Sequence, residues 1–173
     1  MHLLRCTNKL RTEMGLKKED LFQGDVPQTG LGDWYANLIR ISRYKCVIFT
    51  NEMTLFSFIA FQAKKKEIQK LSDLFQGQLY ISLRQEQLQD EVVFSIMQDY
   101  TEIKYAPAQN RSVLGSMNDL VNCYEGYLEG IADPTPQTIL QCNHQLNRIP
   151  MKPIGYSYAV EKLHNALTFR YQP

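Results

Sequence analysis

Arg111, Ser116, Asn118 and Asp119 lie within nine positions of one stretch, RSVLGSMNDLVNCY over 111–124. They offer a guanidinium, a hydroxyl, an amide and a carboxylate. A guanidinium grips phosphate or carboxylate through paired hydrogen bonds, and the other groups would complete a small polar ligand site. A second carboxylate near Asp119 would add acid–base chemistry or a divalent cation to the repertoire. Asp33, which opens a strand after Gly30–Gly32, and Glu52, in a turn, are the acids on offer. The candidate ligand-binding set is therefore Arg111, Ser116, Asn118, Asp119 and Asp33. The competing reading is structural: Ser112, Ser116, Asn118 and Asp119 lie on the side of a helix opposite its apolar stripe, and turn acids commonly serve only the turn. Short polar side chains, where a plain solvent face carries Lys and Glu, favour a site.

Other chemistry is sparse. His2, His144 and His164 have no local partner at metal-ligand spacing, and H-E-x-x-H, G-x-S-x-G, the P-loop and G-x-G-x-x-G are absent. The four cysteines, Cys6, Cys46, Cys123 and Cys142, form no C-x-x-C pair, so neither a zinc knuckle nor a redox dithiol is written here. No metal and no cofactor are expected. Nineteen basic residues against eighteen acidic leave a net charge of +1. That balance argues against a protein that coats nucleic acid. It leaves room for a local patch: Arg40, Arg43 and Lys45 beside Trp34, Tyr35 and Tyr44 could form a strand-borne RNA or single-strand surface.

The elements that must position these groups follow from periodicity. HLLRC (2–6) reads as a short strand, and Thr7 or Asn8 caps a brief helix, NKLRTEM, closed by Gly15. Residues 16–32 read as a surface loop. DWYANLIRI (33–41), KCVIFTN (45–51) and TLFSFIAF (54–61), parted by short polar breaks, predict a three-stranded antiparallel meander. Trp34, Ala36 and Leu38 alternate with Tyr35, Ile39 and Ile41, so both faces of the meander require cover.

From Lys64 the period becomes helical. Ile68, Leu71, Phe75 and Leu79 predict a helix over 66–83, and Leu88, Val92, Ile96 and Tyr100 one over 86–99. TEIKYAP (101–107) predicts a returning strand. Val113, Met117, Leu120, Tyr124 and Leu128 then mark a long amphipathic helix entered through Asn110 or Ser112. Gly115 within it costs about 1 kcal/mol against alanine, which predicts close packing on a neighbouring backbone. A helix over 136–147, an extended crossing through NRIPMKPIGY and a last helix from Ser157 complete the chain. The longest apolar run, 54–61, is far short of the ~20 residues that span a bilayer. The start of the chain lacks a signal peptide's apolar region. The expected compartment is cytoplasmic, without a membrane.

LGDWYANLIRISRYKCVIFTNEMTLFSF, NRSVLGSMNDL and LNRIP, in that order, resemble a family of bacterial and mobile-element proteins characterised only as a domain of unknown function. The resemblance implies a single small intracellular domain and supplies no activity, substrate or catalytic residue.

These readings converge on one α+β domain over 1–173: a mainly antiparallel sheet of about five strands including the 33–61 meander, with about five or six helices. The expected function is a non-enzymatic binding or interaction module for a protein or small-molecule partner. It would use the start of the 111–119 helix and the strands carrying Asp33 to Arg43. The alternative is a small hydrolase or nuclease-like enzyme using Asp33, Arg111 and Asp119. RNA or single-strand binding through the basic hairpin and a homodimer across the second sheet face are further readings.

Overall fold

Three β-rich segments form the meander: β2 (Trp34–Ile41), β3 (Tyr44–Asn51) and β4 (Ser57–Ala60), each antiparallel to the next. The computed structural model describes residues 1–24, 26 and 30–170. Part of the predicted 16–32 loop, Asp25 and residues 27–29, lies outside the described residues. Ile41 pairs with Tyr44 across a tight turn, and Ser42 there takes φ 53°. The second turn is held by Asn51. Its Oδ1 accepts from the Met53 and Thr54 backbone N–H groups, and its Nδ2 donates to the carbonyls of Leu31 and Asp33. An Asn side chain mimicking a backbone turn in this way fixes the chain path locally.

β1 (His2–Cys6) enters the sheet parallel to β2 on one side and to β5 (Ile103–Pro107) on the other. The order β4-β3-β2-β1-β5 therefore makes a mixed five-stranded sheet. Parallel neighbours need long crossovers, which α1 and the segment after it supply between β1 and β2. Seven helices are found among the described residues: α1 (Asn8–Met14), α2 (Lys65–Gln69), α3 (Leu71–Gln85), α4 (Asp90–Asp99), α5 (Arg111–Leu128), α6 (Pro136–Leu146) and α7 (Ala159–Arg170). A two-strand hairpin, β6 (Pro150–Met151) with β7 (Ser157–Tyr158), lies between α6 and α7.

α1 has the predicted caps: Thr7 accepts from the Leu10 N–H, and Gly15 closes the helix at φ 77°. The single helix predicted over 66–83 is broken at Lys70, whose φ −109° and ψ 52° leave the helical region. Ile68, Leu71, Phe75 and Leu79 are all buried across that break, so the stripe survives and periodicity alone does not reveal the kink. The core is packed on both faces. Trp34, Phe49 and Phe58 of the first face meet Phe75 of α3 and Tyr100 with ring centroids 5.3–6.5 Å apart. α5 covers β2 and β3, with Tyr124 buried and bonded to Asn143 of α6 at 2.7 Å. The chain's own helices thus cover the two-sided apolar pattern that suggested a second subunit.

The β4 edge is covered by side chains rather than by another strand. Asn147 accepts from the Ser57 N–H at 2.8 Å and donates to the Ser57 carbonyl at 2.7 Å, and Asn143 accepts from the Ile59 N–H at 3.3 Å. Arg148 is held beside them by two hydrogen bonds to the buried carboxylate of Glu86, the shorter at 2.6 Å. The LNRIP block is explained by these contacts. Among the described residues, no helix is long and apolar enough to cross a membrane.

Candidate functional site

The predicted site residues divide between two environments. Asp33 is buried, and its carboxylate accepts from Arg5 Nε at 2.8 Å and from the Leu3 N–H at 3.4 Å. Its charge is answered by Arg5, on the strand beside it. Asn110 is the N-cap of α5, accepting from the Ser112 and Val113 N–H groups. The Asn110 backbone N–H donates to the Tyr35 hydroxyl, and its Nδ2 donates to Glu52 at 3.0 Å. The start of α5 therefore meets the turn acid and the first meander strand. Burial, then the Glu52 charge, pushes the Tyr35 phenol above its usual range.

Further along α5, Ser116 turns inward, and its hydroxyl donates to the Ser112 carbonyl at 3.1 Å. Arg111, Asn118 and Asp119 are exposed. Asp119 stands eight residues beyond Arg111, a helical rise of about 12 Å. Gly115 does not permit a close backbone approach: a Cβ there would meet nothing within 4 Å. In the basic hairpin, Arg43 pairs with Asp133 at 2.9 Å and Lys45 with Glu13 at 2.5 Å, while Arg40 is exposed.

The structure assembles a different polar constellation at the carboxyl ends of β1 and β5. After β1 the chain turns into α1, whose Glu13 reaches Lys45 on one sheet face. After β5 it turns into α5, which meets Tyr35 on the other face. Adjacent parallel strands whose following helices leave for opposite faces open a crevice at their carboxyl ends, where ligands of open α/β sheets bind. A cleft of about 760 Å³ lies here. Its lining includes Arg5 of β1, Ala106 and Pro107 of β5, Asn8, Arg11 and Thr12 of α1, Lys18, Phe22 and Gly24 of the segment that follows, and Gln109.

Cations dominate this lining. Arg5 is matched by Asp33, but Arg11 and Lys18 have no ion-pair partner among the described residues, and no carboxylate is among the cleft's described lining. Arg11 Nη2 donates to Asn8 Oδ1 at 3.3 Å, whereas its buried Nε–H has no hydrogen-bond partner among the described residues. A buried unsatisfied donor is costly. The loop wall is tied to the sheet by the Phe22 N–H, which donates to the Tyr105 carbonyl at 2.8 Å. Sequence reasoning missed Arg5, Arg11 and Lys18. Their signal is five cations within residues 5–18 (Arg5, Lys9, Arg11, Lys17 and Lys18), spread over a strand end, a short helix and the following turn.

Cys6, Cys46 and Cys142 are poor nucleophiles. Burial pushes the Cys6 and Cys142 thiols up to about 12 and Cys46 to about 11, which holds them as neutral packing groups. No group of three or more His, Cys, Asp or Glu residues able to hold a metal ion is found among the described residues.

A family model described as a domain of unknown function, DUF6933, matches residues 3–162. The match spans all of the blocks that carry the resemblance and makes no statement of bacterial or mobile-element origin. No curated protein and no solved structure matches the chain.

Proposed function

The chain belongs to the DUF6933 family, a domain of unknown function, and we propose that it is a non-enzymatic binding module for a small anionic ligand. One observation carries this reading: Arg5, Arg11 and Lys18 line the crevice at the carboxyl ends of β1 and β5 without a described carboxylate in its lining. The guanidinium of Arg11 supplies a directed fork, and Lys18 adds a mobile point charge. Asn8, Thr12 and Gln109 surround them with neutral hydrogen-bonding groups.

Isothermal titration with orthophosphate, at constant ionic strength, tests the reading. Saturable binding is expected, weakened about 10- to 100-fold in Arg11→Gln, the equivalent of one charge-assisted hydrogen bond. A Lys18→Gln exchange, at an exposed position, weakens it less and reduces its salt dependence. Binding that is absent, or unchanged in both variants, would refute the proposal.

A second reading keeps the pole around Arg111. Its support is the Asn110–Glu52 hydrogen bond, which places an acid beside the residue preceding Arg111. Recognition there predicts ligand loss in Arg111→Ala with Arg11→Gln unaffected.

A further inference from the structure

We infer that the anion recognised in this crevice is the phosphate of a mononucleotide, a phosphomonoester joined to a flat heteroaromatic ring. The inference rests on the anion-binding reading and extends it to the rest of the ligand.

Charge sets the head group. Arg5 is neutralised by Asp33 at 2.8 Å, so Arg11 and Lys18 are the cations left to a ligand. Two unmatched cations suit a phosphomonoester, which carries about −1.5 to −2 at neutral pH, better than a monocarboxylate. The planar guanidinium of Arg11, a lining residue without an ion-pair partner among the described residues, is of the shape that matches phosphate oxygens bidentately.

Size and the aromatic lining set the remainder. A cleft of about 760 Å³ falls in the range of sites that enclose a whole small molecule, well beyond a free phosphate ion. The half-buried Phe22 belongs to the same lining. Its backbone N–H donates to the Tyr105 carbonyl at 2.8 Å, which ties this residue to the sheet. An aromatic ring in the lining of a polar cleft offers a stacking surface, and stacking of a base on such a ring is sequence-tolerant. Gln109, also in the lining, can donate to and accept from a base edge. Unmatched cations and an aromatic ring in one lining are the two halves of a nucleotide site.

The test is a titration series on the full chain with orthophosphate, ribose 5-phosphate and adenosine 5′-monophosphate, repeated with Phe22→Leu. The expected result is that the nucleotide binds about 5- to 100-fold more tightly than ribose 5-phosphate, the contribution of one stacked base. In Phe22→Leu that advantage is lost while ribose 5-phosphate binds as before, which also shows that the fold and the phosphate grip are intact. Equal affinity for the nucleotide and ribose 5-phosphate in the parent chain overturns the inference and leaves the anion reading standing. Equal weakening of both ligands by Phe22→Leu also overturns it, because the ring then acts only on the loop. Binding of none of the three removes both readings together.

Discussion

Asn147 offers the sharpest test of how the sheet is finished. Its side chain makes three buried hydrogen bonds: from the Ser57 N–H at 2.8 Å, to the Ser57 carbonyl at 2.7 Å and to the Asn143 carbonyl at 2.9 Å. Ser57 is 1% exposed, so Asn147→Ala strands both of its backbone polar groups away from water. Each stranded group costs about 1–3 kcal/mol. At a sheet edge some water enters the space left, which places the total at roughly 2–4 kcal/mol. For a chain of this length that corresponds to a fall in Tm of roughly 5–15 °C. Urea unfolding monitored by circular dichroism gives the loss as a lower midpoint with an unchanged slope. Asn147→Asp sharpens the test. Above its pKa the carboxylate accepts from the Ser57 N–H but faces the Ser57 carbonyl, so the variant is no better than Asn147→Ala. When protonated it regains a donor, so it gains on Asn147→Ala as pH falls. A loss below about 0.5 kcal/mol in Asn147→Ala, or identical behaviour of the two variants at every pH, would refute the edge-capping account; the first threshold is the ordinary scatter of surface substitutions.

Two further outcomes follow from the same packing. Gly115→Ala is expected to stabilise the chain by about 0.5–1 kcal/mol, because the position is an exposed helix interior with nothing within 4 Å of a built Cβ; a lower Tm would mean that α5 is packed more closely than its geometry indicates. Burial, and secondarily the positive amino terminus, lowers the pKa of His2, against the opposing charges of Asp99 and Asp33 and a hydrogen bond with the Gly32 backbone. The folded state thus binds fewer protons at His2 than the unfolded chain. Its contribution is present above about pH 6.5 and is lost as pH falls below that value. The fall in Tm between pH 7.5 and 5.5 is expected to be smaller in His2→Gln, and equal slopes would remove this assignment.

The sequence made the local elements legible and hid the ones that topology creates. The meander, the Thr7 and Gly15 caps of α1 and the Asn110 cap of α5 were all readable, because each depends on residues a few positions apart. The break at Lys70 was not, since Ile68 and Leu71 keep one buried stripe on both sides of it. Nor was the parallel placement of β1. Five residues with apolar groups on both faces fit an interior strand of either sense, and its partner β5 lies about one hundred residues away. The Arg5–Arg11–Lys18 crevice inherits that invisibility, because it exists only once β1 and β5 are neighbours.

The blocks that looked chemical in the sequence separate by whether their hydrogen-bonding capacity is used within the fold. Asn51 spends its amide on a turn and on the carbonyls of Leu31 and Asp33, Asn110 on the start of α5 and on Glu52, and Asn147 on the β4 edge. Asp33 spends its charge on Arg5. A short polar residue at a turn, a cap or an edge meets the same demands as one in a ligand site: a directed donor or acceptor, little bulk and a fixed backbone. Residue type and spacing therefore cannot part the two, whereas accounting for every buried polar group can. On that accounting the polar motifs of the meander and LNRIP are consumed by folding. Arg11 Nε and His144 Nδ1 are the buried side-chain atoms left without a hydrogen-bond partner among the described residues, and of these two residues Arg11 lines the crevice to which we assign the ligand.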